Sequence, residues 1–204
     1  MREDRIKKDM LKRDLIIKAA RSCFLEKGIM GTRVCDIGEY SGLSVGSIYN
    51  IFKSKEEIIL ESTDLDSDIF NISDTDKENF GGVAIYINKE IRRVIDLHTG
   101  VNFSLYTELL SLASRNDAIS KYMNRKKEEL HGRASIIIML GQSRGEIDKH
   151  IDVSRRASAL VCSVEAARLI PKINPRLDGK SIMYLINYWI RVALNLEEER
   201  KIQR

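Results

Sequence analysis

Apolar side chains recur every three or four residues along most of the chain, which is the spacing of one face of an α-helix. Ile16, Ala20 and Phe24 follow this spacing near the N-terminus, and Ile87 and Ile91 follow it further along. Proline, which interrupts helices, occurs only twice in 204 residues, so long helices are permitted almost everywhere. The pattern therefore predicts an all-α protein.

Residues 35–55 have the pattern of two short helices separated by a tight turn. Gly42 can adopt the positive φ that ends the first helix, and Ser44 is a suitable N-cap for the second. In the second helix Ile48 and Phe52 are expected to point toward the first helix. The stretch is thus predicted to form a helix-turn-helix corner.

The opposite face of the second helix is small, polar and aromatic, and it carries a positive charge at its end. It consists of Val45, Gly46, Tyr49, Asn50 and Lys53. Such a surface suits the major groove of DNA, where the N-terminal part of a helix reads base edges. An ordinary corner of two helices with a solvated outer face has the same spacing, so the pattern alone leaves both interpretations open.

Over a longer stretch, residues 16–58 keep the order and spacing of a known pattern without gaps. The matching residues are Ile17, Ala20, Phe24, Glu26, Lys27, Gly28, Thr32, Asp36, Ile37, Gly42, Ser44, Gly46, Tyr49, Phe52, Ser54, Lys55 and Glu56. In these residues the chain resembles the N-terminal domain of the TetR family of bacterial transcriptional regulators. The remaining residues offer no such pattern, since the effector domains of this family share little sequence.

The resemblance implies a three-helix helix-turn-helix DNA-binding domain over residues 1–60. It also implies a larger helical domain over residues 61–204 for ligand binding and dimerisation, with about nine helices in all. The implied function is a repressor that binds a palindromic double-stranded DNA operator as a homodimer and is released by a small-molecule effector. A regulator without an effector, constitutive or controlled by a protein partner, fits the sequence equally well. A helical enzyme or ligand carrier is a more distant alternative.

The resemblance also implies which side chains meet DNA. Ser47, Tyr49 and Lys55 match positions that usually reach the DNA backbone. Cys35 falls on the DNA side near the start of its helix, where we expect a partly buried cysteine rather than a redox sensor because only Arg33 nearby is basic. The full set of predicted DNA-binding residues is Arg33, Cys35, Ser44, Val45, Gly46, Ser47, Tyr49, Asn50, Lys53 and Lys55.

A few positions depart from the family pattern. Arg33 stands where the family usually has a capping threonine, so Thr32 is expected to cap one residue early while Asp36 keeps its place. Gly38 and Ser41 occupy positions that are usually alanine. These departures leave the predicted fold unchanged, but the operator sequence cannot be predicted from them.

Two segments flank the matched region. Residues 3–13 alternate in charge without a clear apolar face, which predicts a frayed arm that leads into the first helix. Its basic side chains would either approach phosphate or simply solvate the start of a helix, and they are Lys7, Lys8, Lys12 and Arg13. On the other side, one apolar stripe predicts a helix from Lys55 to about Ser73 that would act as a lever between the two domains.

The last two helices carry more apolar surface than one core can cover. Between Asp152 and Pro171, and again between Asp178 and Glu199, apolar residues occupy more than one helical face. Such surplus surface implies a partner, and by the family resemblance the two helices pair with their copies as a four-helix bundle. The predicted dimer-interface residues are Leu160, Val164, Leu185, Trp189 and Ala193.

An effector pocket is difficult to predict, because a pocket lined with apolar side chains has the same sequence pattern as a core. The residues that we expect to line it are Phe103, Tyr106, Leu110, Met139 and Cys162. Each of these residue types is more often found in a plain core. The identity of the effector is beyond the reach of the sequence.

Charge is distributed unevenly along the chain. The formal net charge is +4, which is modest for a nucleic-acid-binding protein, so the DNA-binding surface must be local. Residues 1–60 carry 12 Lys and Arg against 9 Asp and Glu, whereas residues 61–100 carry 4 against 9. The change of sign falls where a DNA-facing domain would end.

Other functional classes find no support in the sequence. The three cysteines are widely spaced, without a CxxC pair, which argues against a zinc site or a disulfide framework and favours a reducing cytoplasm. No signal region follows the charged N-terminus, and the longest charge-free stretch, residues 40–52, is too short to span a bilayer. No catalytic set or glycine-rich phosphate loop is recognisable, so we expect neither an enzyme nor a cofactor.

Overall fold

The computed structural model describes residues 2–63, 69–72, 81–97, 101–174 and 176–194. Within these residues it contains nine α-helices and no strand, which confirms the predicted all-α fold. The helices are α1 (Arg2–Gly31), α2 (Val34–Ser41), α3 (Val45–Tyr49), α4 (Lys55–Ser62), α5 (Val83–Leu97), α6 (Val101–Ala113), α7 (Asp117–Ser143), α8 (Val153–Ile173) and α9 (Gly179–Leu194).

Packing divides the chain into two compact units. The first, which we call the head, comprises residues 1–65 and 100–124, and the second, which we call the body, comprises residues 66–99 and 125–204. The head therefore contains α1 to α4, α6 and the beginning of α7. The domain boundary expected after residue 60 stays a prediction, and the packing adds α6 to the head because α6 lies against α1.

The core of the head forms where α1 packs against α2 and α4. Ile16, Ala20 and Phe24 of α1 are fully buried, as the apolar spacing predicts. Ile37 of α2 and Ile58 of α4 complete this core. The helix-turn-helix therefore rests on a continuous apolar layer.

α1 is longer than predicted at its start. It begins at Arg2, so the frayed arm expected over residues 3–13 is wrong. Those residues are rich in lysine, arginine and other good helix formers and contain neither glycine nor proline, which favours the helix. At the other end the backbone leaves the helical conformation at Gly28, with φ 74° and ψ 162°.

α4 ends at Ser62, so the helix predicted from Lys55 to about Ser73 is wrong. The hydroxyls of Ser62 and Thr63 donate to the carbonyl oxygen of Ile59 at 3.0 and 2.7 Å. Side-chain hydroxyls that bond to the backbone in this way compete with continuation of a helix. Residues 64–68 of the predicted lever lie outside the described residues.

The body is built around one buried cluster to which α5, α7, α8 and α9 contribute. Ile87, Val164 and Ile186 are among its members, and α8 packs against both α5 and α9. The carboxylates of Asp152 and Asp178 accept backbone N–H groups at the starts of α8 and α9. Over the described ranges, no helix is long and apolar enough to cross a membrane.

Candidate nucleic-acid interface

α3 presents its predicted outer face to solvent. The exposed residues of this face are Val45, Gly46, Tyr49, Asn50 and Lys53. A Cβ placed on Gly46 would meet no neighbouring atom closer than Ser44 Oγ, at 4.0 Å. The protein's own packing therefore does not require a glycine here, and the missing side chain leaves room for a ligand to approach the helix backbone.

The position of α3 depends on its ends and its buried side, because a helix of five residues is not stable alone. Ser44 Oγ accepts the backbone N–H of Ser47 at 3.2 Å, which confirms the predicted N-cap. Gly42 ends α2 with φ 69°, as predicted. Ile48 and Phe52 are fully buried against the rest of the head, so the outer face has a fixed direction.

The turn between α2 and α3 requires a residue without a side chain at Gly38. A Cβ at this position would lie only 2.8 Å from the backbone oxygen of Leu43. A backbone atom cannot move aside as a flexible side chain can. The glycine that departs from the family pattern therefore allows the close approach of this turn to α2.

The start of α2 differs from the expectation. Thr32 does not cap the helix, because its buried hydroxyl donates to the carbonyl oxygen of Gly28 at 2.8 Å. Asp36 instead accepts the backbone N–H of Arg33 at 2.6 Å. Lys27 Nζ lies 2.7 Å from Asp36 Oδ1, and the bonds from Lys27 and then Arg33 hold the pKa of Asp36 below its ordinary value.

Cys35 and Arg33 both lie exposed at the beginning of α2. The expectation of a partly buried Cys35 is therefore wrong, since its thiol is free and open to solvent. Cys23 is the buried cysteine of the head, and desolvation raises the pKa of its thiol. Of these two cysteines, Cys35 is the one that is exposed among the predicted DNA-binding residues.

The backbone of Ile29, near the end of α1, is held from two sides. Glu108 Oε2 of α6 accepts the N–H of Ile29 at 2.6 Å, and Lys55 Nζ of α4 donates to its carbonyl oxygen at 2.7 Å. Gly28 permits the first contact, because its φ is 74° and a Cβ there would lie 3.2 Å from Glu108 Oε1. We call these two hydrogen bonds the Ile29 anchor.

The Ile29 anchor changes the role predicted for Lys55. The ammonium group expected at the DNA backbone is half-buried and bonded within the head. Desolvation by this burial lowers the pKa of Lys55. Arg33 and Lys53 are the cations of the predicted DNA-binding set that remain exposed.

Arg13 is also held inside the head, although its sequence context suggested an approach to phosphate. Its guanidinium lies 4.4 Å from the centroid of the Phe52 ring, and its Nε donates to Glu61 Oε1 at 2.6 Å. Sequence reasoning did not single out Glu61 or Glu108. Their partners lie 48 and 79 residues away along the chain, so no local pattern signals either contact.

The predicted dimer-interface residues divide into two groups. Leu160 and Val164 have no exposed surface and belong to the core of the body, so their assignment to an interface is wrong. Leu185, Trp189 and Ala193 line a groove of about 380 Å³ together with residues of α8. This second group retains surface for a partner.

The residues predicted for an effector pocket do not come together within either unit. Phe103, Tyr106 and Leu110 lie on α6 in the head, where Tyr106 is buried. Met139 is exposed on α7 in the body, and Cys162 lines the groove beside Trp189. The assignment of these five residues to an effector pocket stays a prediction.

Residues 16–61 match the family model of bacterial regulatory proteins of the tetR family. The uncharacterized HTH-type transcriptional regulator YfiR of Bacillus subtilis is 28% identical over 138 residues, which cover 64% of this chain and 65% of YfiR. The HTH-type transcriptional repressor KstR2 of Mycolicibacterium smegmatis is 38% identical over 50 residues, or 24% of each chain. The alignments span less than two thirds of either relative.

Solved structures share the fold over nearly the whole chain. Salmonella enterica GusR superposes with a TM-score of 0.71 at 21% identity, over 90% of this chain and 95% of GusR. The transcriptional regulator FadR from Bacillus subtilis, in complex with stearoyl-CoA, has a TM-score of 0.69 at 20% identity, over 90% of this chain and 98% of FadR.

The helices α2 and α3 and the turn between them form a helix-turn-helix with an exposed second helix. The matched residues 16–61 contain the second half of α1 together with α2, α3 and nearly all of α4. This N-terminal part of the chain is therefore a helix-turn-helix domain of the TetR family of bacterial transcriptional regulators.

Removal of the Glu108 carboxylate tests the Ile29 anchor. Glu108→Ala should lower the free energy of unfolding of the head by about 1–3 kcal/mol, because the N–H of Ile29 loses its acceptor. Glu108→Gln, whose amide oxygen can still accept, should retain most of the stability. Urea denaturation followed by circular dichroism measures both, and an unchanged midpoint for Glu108→Ala would show that the contact contributes nothing.

Proposed function

We propose that the protein is a transcriptional repressor that binds a two-fold symmetric DNA operator as a homodimer and leaves it when a small molecule binds. The observation that carries the proposal is the exposed face of α3, held on a capped and buried framework in a family of DNA-binding regulators. Action on chromosomal DNA places the protein in the bacterial cytoplasm.

Base reading on this proposal belongs to the groove-facing part of α3. The amide of Asn50 can donate to and accept from adenine, a bidentate contact worth about 1–3 kcal/mol of discrimination. Val45 offers an apolar contact to a thymine methyl group, and Gly46 lets the edge of a base pair approach the helix backbone. All three residues are exposed, Val45 and Gly46 at the start of α3 and Asn50 at its C-cap.

Phosphate contacts on this proposal orient α3 without reading sequence. Lys53 beyond the end of α3 and Arg33 before the start of α2 are exposed cations available to phosphates. Tyr49 adds an exposed phenol hydroxyl. Lys55 has no direct DNA contact in this proposal, because it holds the Ile29 anchor.

The surface of α9 supports a homodimer. Tyr184 is 72% exposed and Trp189 is 64% exposed, and Tyr188 lies between them on the same helix. A contiguous apolar surface of this kind on a single chain commonly marks a protein interface. The neighbouring wall of the groove on α8 contains the small residues Ala159 and Ala166, which permit close approach of partner helices. Two-fold pairing would cover the same surface on both copies.

Repression and effector release rest on relatives rather than on the geometry of this chain. KstR2 is a repressor by name, and the FadR structure shows that a chain of this fold has bound stearoyl-CoA. We therefore propose a small-molecule effector and assign no lining residues to its site. A regulator without an effector, constitutive or controlled by a protein partner, is the alternative.

Asn50 and Lys53 should have separable roles in DNA binding. Asn50→Ala should weaken binding to a selected operator by about 1–3 kcal/mol and spare a scrambled duplex, because it removes a base contact. Lys53→Ala should weaken both duplexes and lower the slope of log K against log salt by about one per subunit. Salt titrations of both variants on both duplexes measure these effects.

Lys18, an exposed lysine of α1 outside the α3 surface, supplies the matched control. Lys18→Ala should leave both the affinity and the salt slope unchanged. Equal losses on the two duplexes for Asn50→Ala would mean that this residue contacts the backbone, and the assigned reading face would then be wrong.

Trp189→Glu should convert the dimer into monomers and abolish operator binding. The two-fold axis duplicates the buried unpaired charge, which should raise the dimer dissociation constant at least about a hundredfold. Ile85→Glu is the matched control, since Ile85 is 65% exposed on α5 and lies outside the α9 surface. Sedimentation velocity decides the matter, and a stable dimer of Trp189→Glu would show that the interface lies elsewhere.

A further inference from the structure

A wide groove separates the N-terminal part of α1 from α3 within the head. It encloses about 870 Å³ and is lined on one side by residues of α1 between Ile6 and Arg13. Ser47, Asn50 and Ile51 line the other side. The α1 wall precedes residue 16, where the match to the family model begins, so this groove includes a part of the chain that the family model does not describe.

We propose that this groove holds one sugar–phosphate strand of the operator, which makes the N-terminal part of α1 a further DNA-contacting element. The inference rests on the proposed function, since it extends the surface by which the same head binds DNA. It assigns the strand to the cleft between two helices, in addition to the contacts made by α3 in the major groove.

The charge of the groove suits a phosphate strand. Lys8, Lys12 and Arg13 line it, and Asp9 is the one acidic side chain among the described residues of the lining. The guanidinium of Arg13 is already paired with carboxylates of α4, so it contributes little charge to a ligand. Lys8 and Lys12 are exposed on α1, and their ammonium groups supply the positive charge that phosphates would neutralise.

The groove is continuous with the reading face. Ser47 and Asn50 line the groove and also belong to the predicted DNA-binding surface of α3. A strand that follows the groove therefore passes beside the base pair that Asn50 would read. A protein helix or a small anion in the same groove would compete with DNA at Asn50. A DNA strand, in contrast, can contact the groove and the surface of α3 as one ligand.

The apolar part of the lining is consistent with a sugar–phosphate strand. Ile6 and Met10 line the groove and are 53% and 64% exposed in the free protein. Contacts to deoxyribose as well as to phosphate are common in protein–DNA complexes. Covering these two side chains with sugar would remove apolar surface from water and so favour the bound state.

The test uses the full-length dimer and an operator selected from random DNA. Lys8→Ala and Lys12→Ala should each lower the slope of log K against log salt by about one per subunit. Binding weakens as salt rises from 50 to 200 mM, and the factor by which it weakens should then be about threefold smaller for each contact removed. Asp9→Asn should strengthen operator binding, because it removes a negative charge that faces the strand.

Lys18→Ala and Lys149→Ala serve as controls, since both lysines are exposed and neither lines the groove. Hydroxyl-radical footprinting should show protected sugars beside each half-site that lose protection when Lys8 and Lys12 are both replaced. Unchanged slopes, or an unchanged footprint, would overturn the inference and leave operator binding intact. If the wild-type protein prefers no duplex, the proposed function itself fails.

Discussion

The contacts that hold the backbone of Ile29 join α1 to α4 and α6 within the head. A carboxylate from α6 and an ammonium from α4 bind its two polar groups, and hydrogen bonds to charged groups contribute about 1.5–3 kcal/mol each. Ile29 lies shortly before α2, so a displacement of Glu108 or Lys55 would be passed to the frame that carries α3. The same contact explains why α6 packs as part of the head, although it is distant from α1 to α4 in sequence.

The outer face of α3 is available for a ligand because other residues determine where the helix lies. Ser44 caps its start, and Ile48 and Phe52 fix its buried side. Asn50 is exposed and lies outside this buried side, so the protein can vary it without loss of the fold. The residues that stabilise α3 are thus largely different from those proposed to read bases. The base-reading residues can therefore differ among proteins of the same fold.

The parts of the structure that were predicted correctly depend on short stretches of sequence. The hydrogen bonds of Gly42 and Ser44 reach residues no more than four positions away, so a helix end and a cap can be recognised from the local sequence. Glu108 acts across 79 residues, and no local pattern reveals its partner. Apolar content likewise shows that a helix is buried on two sides without showing which side faces its own core. Leu160 therefore proved to be core, whereas Trp189 remained exposed.

The central claim is that this fold positions two copies of α3 to read DNA. Selection of bound sequences from a pool of random duplexes by the wild-type protein tests it most directly. The account predicts enrichment of a two-fold symmetric sequence whose half-sites lie about one helical turn of DNA, or a small multiple of it, apart. Enrichment of no sequence, or of an asymmetric site without repeated half-sites, would contradict it.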